Sequence, residues 1–227
     1  MTLLLTPDEC RVLGVLVEKS LTTPAQYPLS LNGVVVGSNQ KNNRDPLLNL
    51  DEESCLRALD GLRAKNLVRE VSMTGSRVQK YRHVARDGLA VSTSELVLLA
   101  ELLLRGPQTV GELRGRASRM HELESVEAVD ALLHGLMDRP EPLVRRVAAV
   151  PGTRADRFAQ LLCPDLHPIE AAPPVRAAHA PPRPSSADQP SAPVAAHALD
   201  ELRGRVDRLE HQVNELHRLL ESLTAAG

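Results

Sequence analysis

Aromatic residues are almost missing from this chain, which has two Tyr, one Phe and no Trp among its 227 residues. Proteins that bind single-stranded RNA or DNA usually stack the bases on aromatic side chains. Only Tyr27, Tyr81 and Phe158 could provide such platforms. The composition therefore argues against an RNA-recognition domain or an OB-type fold.

Cysteine is scarce as well, and Cys10, Cys55 and Cys163 lie far apart in the sequence. No CxxC or Cys/His pair has the spacing of metal ligands, so we predict no structural metal, no cofactor and a reducing compartment. Cys10 and Cys55 occupy helical positions where small apolar residues would also serve. This favours buried, inert thiols over reactive ones.

Long hydrophobic runs are also absent. No apolar stretch approaches the roughly 18 residues of a transmembrane helix. The first residues lack the charged and apolar regions of a signal peptide. We therefore predict a cytoplasmic protein that does not bind or span a membrane.

Catalytic motifs are the last absence. The sequence has no GxSxG, Walker loop, HExxH or GxGxxG motif. Its eight His are scattered without any mutual spacing that would place them in one site. We therefore predict that the protein is not an enzyme.

What the chain does contain is a duplication. Thr6 and Ser92 each precede a Glu three residues later, which is the capping-box pattern of a helix start. Apolar residues behind these caps recur at a constant offset of 86: Cys10, Val12, Leu13, Leu16 and Val17 match Leu96, Leu98, Leu99, Leu102 and Leu103. Further along, 67–71 resembles 143–147, and 75–81 resembles 152–158. A period this long indicates a duplicated domain rather than a solenoid.

Each repeat is predicted to contain three helices followed by a two-stranded hairpin. In the first repeat we expect helices near 8–19, 31–39 and 51–66, an extended piece at 21–24, strands near 67–72 and 78–84, and a turn at 73–76. In the second we expect helices near 94–105, 109–120 and 125–138, and strands near 143–149 and 155–162. Three helices closed by a hairpin form the winged-helix arrangement. The predicted fold class is α+β, mostly α, with tandem winged-helix domains at 1–86 and 87–163.

The composition changes after the second repeat. Residues 164–197 are rich in Pro and Ala, which is typical of a semi-extended, disordered linker. Residues 198–224 then carry an unbroken heptad pattern, with a positions Leu199, Val206, Val213 and Leu220 and d positions Leu202, Leu209, Leu216 and Leu223. Val at a with Leu at d favours a parallel dimer, so we predict a homodimeric coiled coil. The alternative is a helix that folds back on its own chain.

The two repeats differ in charge and in length. Residues 1–86 carry three more basic than acidic side chains, and residues 87–166 carry three fewer. The offset falls from 86 at the first helix to 74 at the third, so the first repeat holds about twelve extra residues. They include an amide-rich stretch, 38–46, whose Lys41 and Arg44 offer contacts to phosphate. The alternative is an ordinary solvated loop.

Further basic residues lie on the predicted hairpins and on the second helix of the second repeat. The full set of candidate nucleic-acid contacts is Asn39, Gln40, Lys41, Asn43, Arg44, Arg77, Lys80, Arg114, Arg116 and Arg119. The third helices begin with acidic residues, which suit the helix dipole but repel phosphate, so we do not expect them to read bases. The alternative for the hairpins is a solvated sheet edge protected by charge.

Several short motifs carry a family resemblance. They are TTP at 22–24, YPLS at 27–30, NGVV at 32–35, NQK at 39–41, NRDP at 43–46, LLLRGPQT at 102–109 and GELR at 111–114. With them the chain resembles the bacterial YceH-like proteins over residues 3–162 and in its heptad tail, and it departs from them in the Pro/Ala-rich insert. The resemblance implies a tandem winged-helix fold without an established activity, and no catalytic residues. It also implies that 39–46 is more than a spacer.

These features lead to two hypotheses. The first is a non-enzymatic, homodimeric regulator that binds double-stranded DNA or is associated with transcription. The second is a protein-interaction scaffold, in which the winged helices are docking surfaces and the acidic third helices face a protein partner.

Overall fold

The computed structural model describes residues 3–72, 78–147 and 155–167. Over these residues the fold is mixed α+β and mostly helical, with two small three-stranded antiparallel sheets. The first repeat contains α1 (Pro7–Thr22), a 3-10 turn (Pro24–Gln26), β1 (Leu29–Ser30), α2 (Leu31–Ser38), α3 (Glu52–Ala64), β2 (Val68–Val71) and β3 (Lys80–His83). After α4 (Ala85–Gly88), the second contains α5 (Thr93–Arg105), β4 (Gln108–Thr109), α6 (Val110–Ala117), α7 (Val126–Met137), β5 (Val144–Val147), β6 (Arg157–Gln160) and a 3-10 turn (Pro164–Leu166).

Polar caps fix where the first helix of each repeat begins. The Thr6 hydroxyl accepts from the Glu9 amide at 3.2 Å, and the Glu9 carboxylate accepts from the Thr6 amide at 2.8 Å. Ser92 and Glu95 make the same reciprocal pair before α5. These bonds satisfy N–H groups that have no partner inside the helix. Both predicted capping boxes are confirmed.

Each hairpin has a third strand that the sequence did not predict. Strand β1 pairs with β3, so the first sheet has the order β1-β3-β2, and β4 pairs with β6 in the matching order β4-β6-β5. Leu29 lies opposite Tyr81 in the first sheet, and Gln108 lies opposite Phe158 in the second. Strands of two residues are too short to show alternation, which is why the pattern did not reveal them.

One local expectation was wrong. Leu21 and Thr22, predicted as extended, belong to the last turn of α1. The hydroxyl groups of Thr22 and Thr23 donate to the carbonyls of Glu18 and Lys19, four residues back, at 2.8 and 3.2 Å. These bonds keep the chain helical up to Thr22.

The two first helices, α1 and α5, form the centre of the molecule. Every residue from Glu9 to Glu18 in α1 and from Leu96 to Leu104 in α5 is buried. The helices pack against each other at Gly14, where an added Cβ would lie 2.8 Å from Leu104 Cγ. The two predicted domains therefore share one core, and the predicted boundary at residue 86 falls within α4.

Backbone hydrogen bonds also join the repeats. The Leu5 amide donates to the Leu162 carbonyl at 2.7 Å, and the Asp45 amide donates to the Leu104 carbonyl at 2.8 Å. The fold continues four residues into the predicted linker, because Leu166 is buried and the His167 ring contacts the Asp45 carbonyl. The predicted 73–76 turn, the rest of the linker and the 198–224 heptads lie outside the described residues.

No helix within the described ranges combines the length and the apolar character that crossing a membrane requires.

The close approach at Gly14 gives a stability prediction. Gly14→Ala should lower the free energy of unfolding by about 1–2 kcal/mol, because the overpacking cost exceeds the gain in helix propensity. Gly115→Ala on α6 is the matched control, because an added Cβ there meets nothing within 4 Å. It should raise stability by about 0.5–1 kcal/mol. Urea unfolding followed by circular dichroism measures both, and a stabilising Gly14→Ala would contradict the packing argument.

Candidate functional site

The amide-rich loop between α2 and α3 is tied to the body of the protein at its ends. Asn39 follows the last residue of α2, and its side-chain amide donates to the Leu50 carbonyl at 2.7 Å. Its side-chain oxygen accepts from the Leu50 amide at 2.8 Å. These two hydrogen bonds resemble those between paired strand residues, and they close the loop. The Asn39 side chain therefore has a structural role.

Arg44 points into the protein, contrary to its expected contact with phosphate. Its side chain is fully buried and pairs with Glu18 of α1, with 2.6 Å between Nη2 and Oε2. Its Nε and Nη2 donate to the Gly37 carbonyl at 3.1 and 3.0 Å. Burial favours the neutral acid, but the hydrogen bonds and charge of Arg44 hold the pKa of Glu18 below its ordinary value. Arg44 therefore fixes the loop instead of facing solvent.

A second arginine supports the same loop from below. Arg11 of α1 is fully buried and donates to the carbonyls of Ser38, at 3.1 Å, and Pro46. Burial, together with the nearby charge of Arg44, lowers the pKa of Arg11 to about 10. Arg11 and Arg44 are thus two buried guanidinium groups that hold the loop, and backbone carbonyls of α2 and of the loop accept hydrogen bonds from both.

The loop forms one wall of an open groove of about 450 Å³ between the repeats. We call it the inter-repeat groove. It is lined by Glu18, Lys19, Thr22, Thr23, Gln40, Lys41, Asn42, Asn43 and Arg119. Lys41 and Asn43 are exposed, and the positive φ of Asn43, 63°, is one that Asn tolerates well. Gln40 accepts from Arg44 at 2.9 Å and from Lys19 at 3.4 Å, so it links the buried pair to the groove surface.

The opposite wall comes from the second repeat. Arg119 donates to the Glu101 carboxylate at 3.1 Å, and Glu101 is almost fully buried in α5. Arg105 lies 3.3 Å from the other carboxylate oxygen. About half of the Arg119 side chain remains exposed. The structure thus brings together Lys41 and Arg119, which the sequence had placed in different repeats, and adds Lys19.

Arg114, Arg116 and Lys80 do not line this groove. Arg116 donates to the side chain of buried Gln108 at 2.7 Å, and Arg114 donates to the Glu124 carbonyl at 3.0 Å, so both brace their own repeat. Lys80 lies in β3, opposite Ser30 and Val71. Arg77 lies outside the described residues.

Sequence reasoning missed the buried acids that organise the site. Glu18 and Glu101 each lie in a helix of otherwise apolar, buried residues. A carboxylate in such a position needs a cationic partner. That interruption of the apolar pattern was the available signal, although it does not say where in the chain the partner lies.

Comparison with known proteins places the chain in a family. A family model described as "Protein of unknown function, DUF480" matches residues 5–153. A UPF0502 protein of Geobacter sulfurreducens is 50% identical over 177 residues, which are 77% of this chain and 80% of that protein. The UPF0502 protein YceH of Salmonella newport is 42% identical over 226 residues, 97% and 96% of the two chains. The chain belongs to the UPF0502 (YceH) family. The resemblance carried by the short motifs is confirmed.

The third helices of this UPF0502 protein present acidic surfaces. On α3, Arg57 pairs with Glu53, and Arg63 lies 2.9 Å from Asp60. Helix α7 contains no Lys or Arg at all, but carries Glu127 and Asp130. Neither helix therefore offers an unpaired cation to a phosphate.

A Ser–His contact in the UPF0502 chain does not have the directions of a catalytic pair. The Ser20 hydroxyl donates to the Val17 carbonyl at 2.8 Å, so at 3.1 Å from His83 Nε2 it acts as an acceptor. The imidazole then donates from Nε2 and cannot take the Ser20 proton. Burial, aided by the charge of Arg82, lowers the pKa of His83 to about 4 and keeps the ring neutral. No group of His, Cys, Asp or Glu among the described residues could hold a metal ion.

The buried ion pair gives a second prediction for this family member. Glu18→Gln should lower the free energy of unfolding by about 3–5 kcal/mol, because it leaves the Arg44 guanidinium buried without an anion. Glu53→Gln is the control: it makes the same chemical change in the exposed Glu53–Arg57 pair and should cost less than about 1 kcal/mol. Chemical denaturation measures both, and equal losses would contradict the role assigned to Glu18.

Proposed function

We propose that this protein is a non-enzymatic, cytoplasmic winged-helix protein that binds the backbone of double-stranded DNA through the inter-repeat groove. The observation that carries the proposal is the meeting of Lys19, Lys41 and Arg119 on that groove. Phosphate contacts of Lys and Arg supply most of the affinity of sequence-independent DNA binding.

The order of the elements supports a winged helix in each repeat. Both repeats run helix, short strand, helix, helix, strand, strand, and in both sheets the last strand lies in the middle. From this order we infer a helix-turn-helix unit closed by a hairpin. In DNA-binding members of such folds the third helix enters the major groove, but here that surface is acidic on both α3 and α7. We therefore assign DNA contact to the groove instead, and expect little discrimination between sequences.

Buried and partly buried side chains hold the cations of the groove in position for contact with phosphate. Glu101 anchors Arg119, while the Glu18–Arg44 pair and Gln40 position Lys19 and the loop that carries Lys41. Side chains that are already ordered lose less entropy on binding. The exposed side-chain amide of Asn43 adds a neutral donor to phosphate oxygens.

A gel-shift titration tests the DNA proposal. Lys41→Ala combined with Arg119→Ala should weaken binding to a duplex about 10-fold or more and reduce the slope of log K against log salt by about two. Arg57→Ala combined with Arg86→Ala removes the same charge outside the groove and should leave both quantities nearly unchanged.

The outcome separates DNA binding from the second candidate. The acidic surfaces of α3 and α7 favour a protein-interaction scaffold whose partner presents basic residues. If the pure protein retards no duplex at low salt, and a stoichiometric protein partner co-purifies without nucleic acid, the scaffold replaces the DNA proposal.

We also propose that the heptads at 198–224 make the protein a homodimer. Two copies of a weak DNA-binding groove in one particle raise the effective concentration of the second copy once the first is bound.

Light scattering tests the dimer. The full-length protein at tens of micromolar should have about twice the mass expected for its chain. Leu209→Asp combined with Leu216→Asp, which places charge at two d positions, should return it to a monomer. Arg208→Asp is the control, because it changes a heptad residue outside the a and d positions, and it should leave the dimer intact. Leu161→Asp would not serve, because that residue is half-buried in the folded body. A full-length monomer would refute the proposal.

A further inference from the structure

Two of the three cysteines meet at the junction of the repeats. Cys10 lies in α1, Cys163 lies three residues after the end of β6, and both are buried. Helix α1 packs against the 3-10 turn that begins after Cys163, which brings the two buried cysteines to the same junction. Residues from opposite ends of the described fold are thus brought to one junction, whereas Cys55 lies apart from them in α3.

The backbone holds both thiols in place. The side chain of Gln160 makes two hydrogen bonds to the backbone of Cys163. Its oxygen accepts from the Cys163 amide at 2.7 Å, and its nitrogen donates to the Cys163 carbonyl at 2.6 Å. The adjacent bond from the Leu5 amide to the Leu162 carbonyl, 2.7 Å, ties this segment to the residues before α1. Cys10 itself belongs to the first turns of a buried helix.

The two thiols differ in acidity in the way that a reactive pair requires. The Cys10 thiol and the backbone N–H groups of Leu166 and Asp165 lower the pKa of Cys163 to about 7. Burial raises the pKa of Cys10, so it stays protonated. Cys163 also lies beside the exposed residues Pro164 and Asp165, whereas Cys10 is enclosed in a buried helix, so Cys163 is the thiol that an oxidant meets first and Cys10 is the partner that follows. Burial also raises the pKa of Cys55, to about 11, and it has no such partner.

We propose that Cys10 and Cys163 are a redox-active pair that forms an intramolecular disulfide when the protein meets a peroxide. The Cys163 thiolate attacks one peroxide oxygen, the O–O bond breaks, and Cys163 becomes a sulfenic acid while the other oxygen leaves as hydroxide. Cys10 gives its proton to that hydroxide and its sulfur attacks Cys163. The S–S bond forms and the sulfenic oxygen leaves as water, taking up a proton from solvent. The two sulfurs lose two electrons, and the peroxide is reduced.

The site suits a transient modification in a reducing compartment. Cys163 lies directly before exposed Pro164 and Asp165, so a small oxidant reaches it by a local opening of the 3-10 turn. The product would fasten the first helix to the last described residues. This differs from the sequence-based expectation that Cys10 is inert.

Peptide mapping of the full-length protein tests the inference. After treatment with hydrogen peroxide, denaturation and alkylation of free thiols, we expect a peptide linked through Cys10 and Cys163, with Cys55 alkylated. The melting temperature should rise by about 10 °C, because the bridge closes a very long loop, and dithiothreitol should reverse the rise.

Single substitutions give the controls. Cys55→Ala should leave the linked peptide unchanged. Cys10→Ser, which keeps a hydrogen-bond donor beside Cys163, should abolish it and leave a sulfenic acid on Cys163 that dimedone traps, and Cys163→Ser should abolish both signals. The proposal would be overturned by any of three results: three alkylated thiols after peroxide treatment, oxidation of Cys55 at the same rate, or a link between two chains. The linked peptide and the dimedone adduct can both be read even if one variant folds poorly.

Discussion

The packing of α1 against α5 is the constraint on which the rest of the structure depends. Because both helices are buried from every side, each charge that they carry must find a partner in another element. Glu9 is met by Lys65 after α3, at 2.6 Å, Glu18 by Arg44 from the loop, and Glu101 by Arg119 after α6. The central helices thus determine the positions of the three peripheral segments that carry Lys65, Arg44 and Arg119.

This arrangement explains why the inter-repeat groove is cationic in a chain whose net charge is close to neutral. Glu18 and Glu101 are buried, whereas Lys41 is exposed and Arg119 is partly exposed. Arg119 is the clearest case, with its guanidinium bonded to a buried carboxylate and about half of its side chain in solvent. Charge counted along the sequence could not reveal this, because it sums the buried and exposed groups alike.

The sequence was sufficient for the three main helices of each repeat and the longer strands, since apolar periodicity and capping boxes are local signals, but it did not predict the short helix α4. It could not show the two-residue strands β1 and β4, which exist only because β3 and β6 lie beside them. It also misjudged Arg44, because the direction of a loop side chain depends on a partner 26 residues away in the chain. The position of Lys41 and Arg119 on one groove, and of Cys10 and Cys163 at one junction, depends on contact between the repeats, for which the sequence offered no local sign.

The lengthened loop of the first repeat has a consequence for how the two halves have diverged. A symmetric dimer of single repeats would have to present every surface twice, and any change in one copy would appear in the other. Joined in one chain, the halves were free to specialise: one lengthened its loop and contributes Lys41, and the other contributes Arg119. Neither half holds the complete set of cations by itself, so the groove is a property of the fused pair.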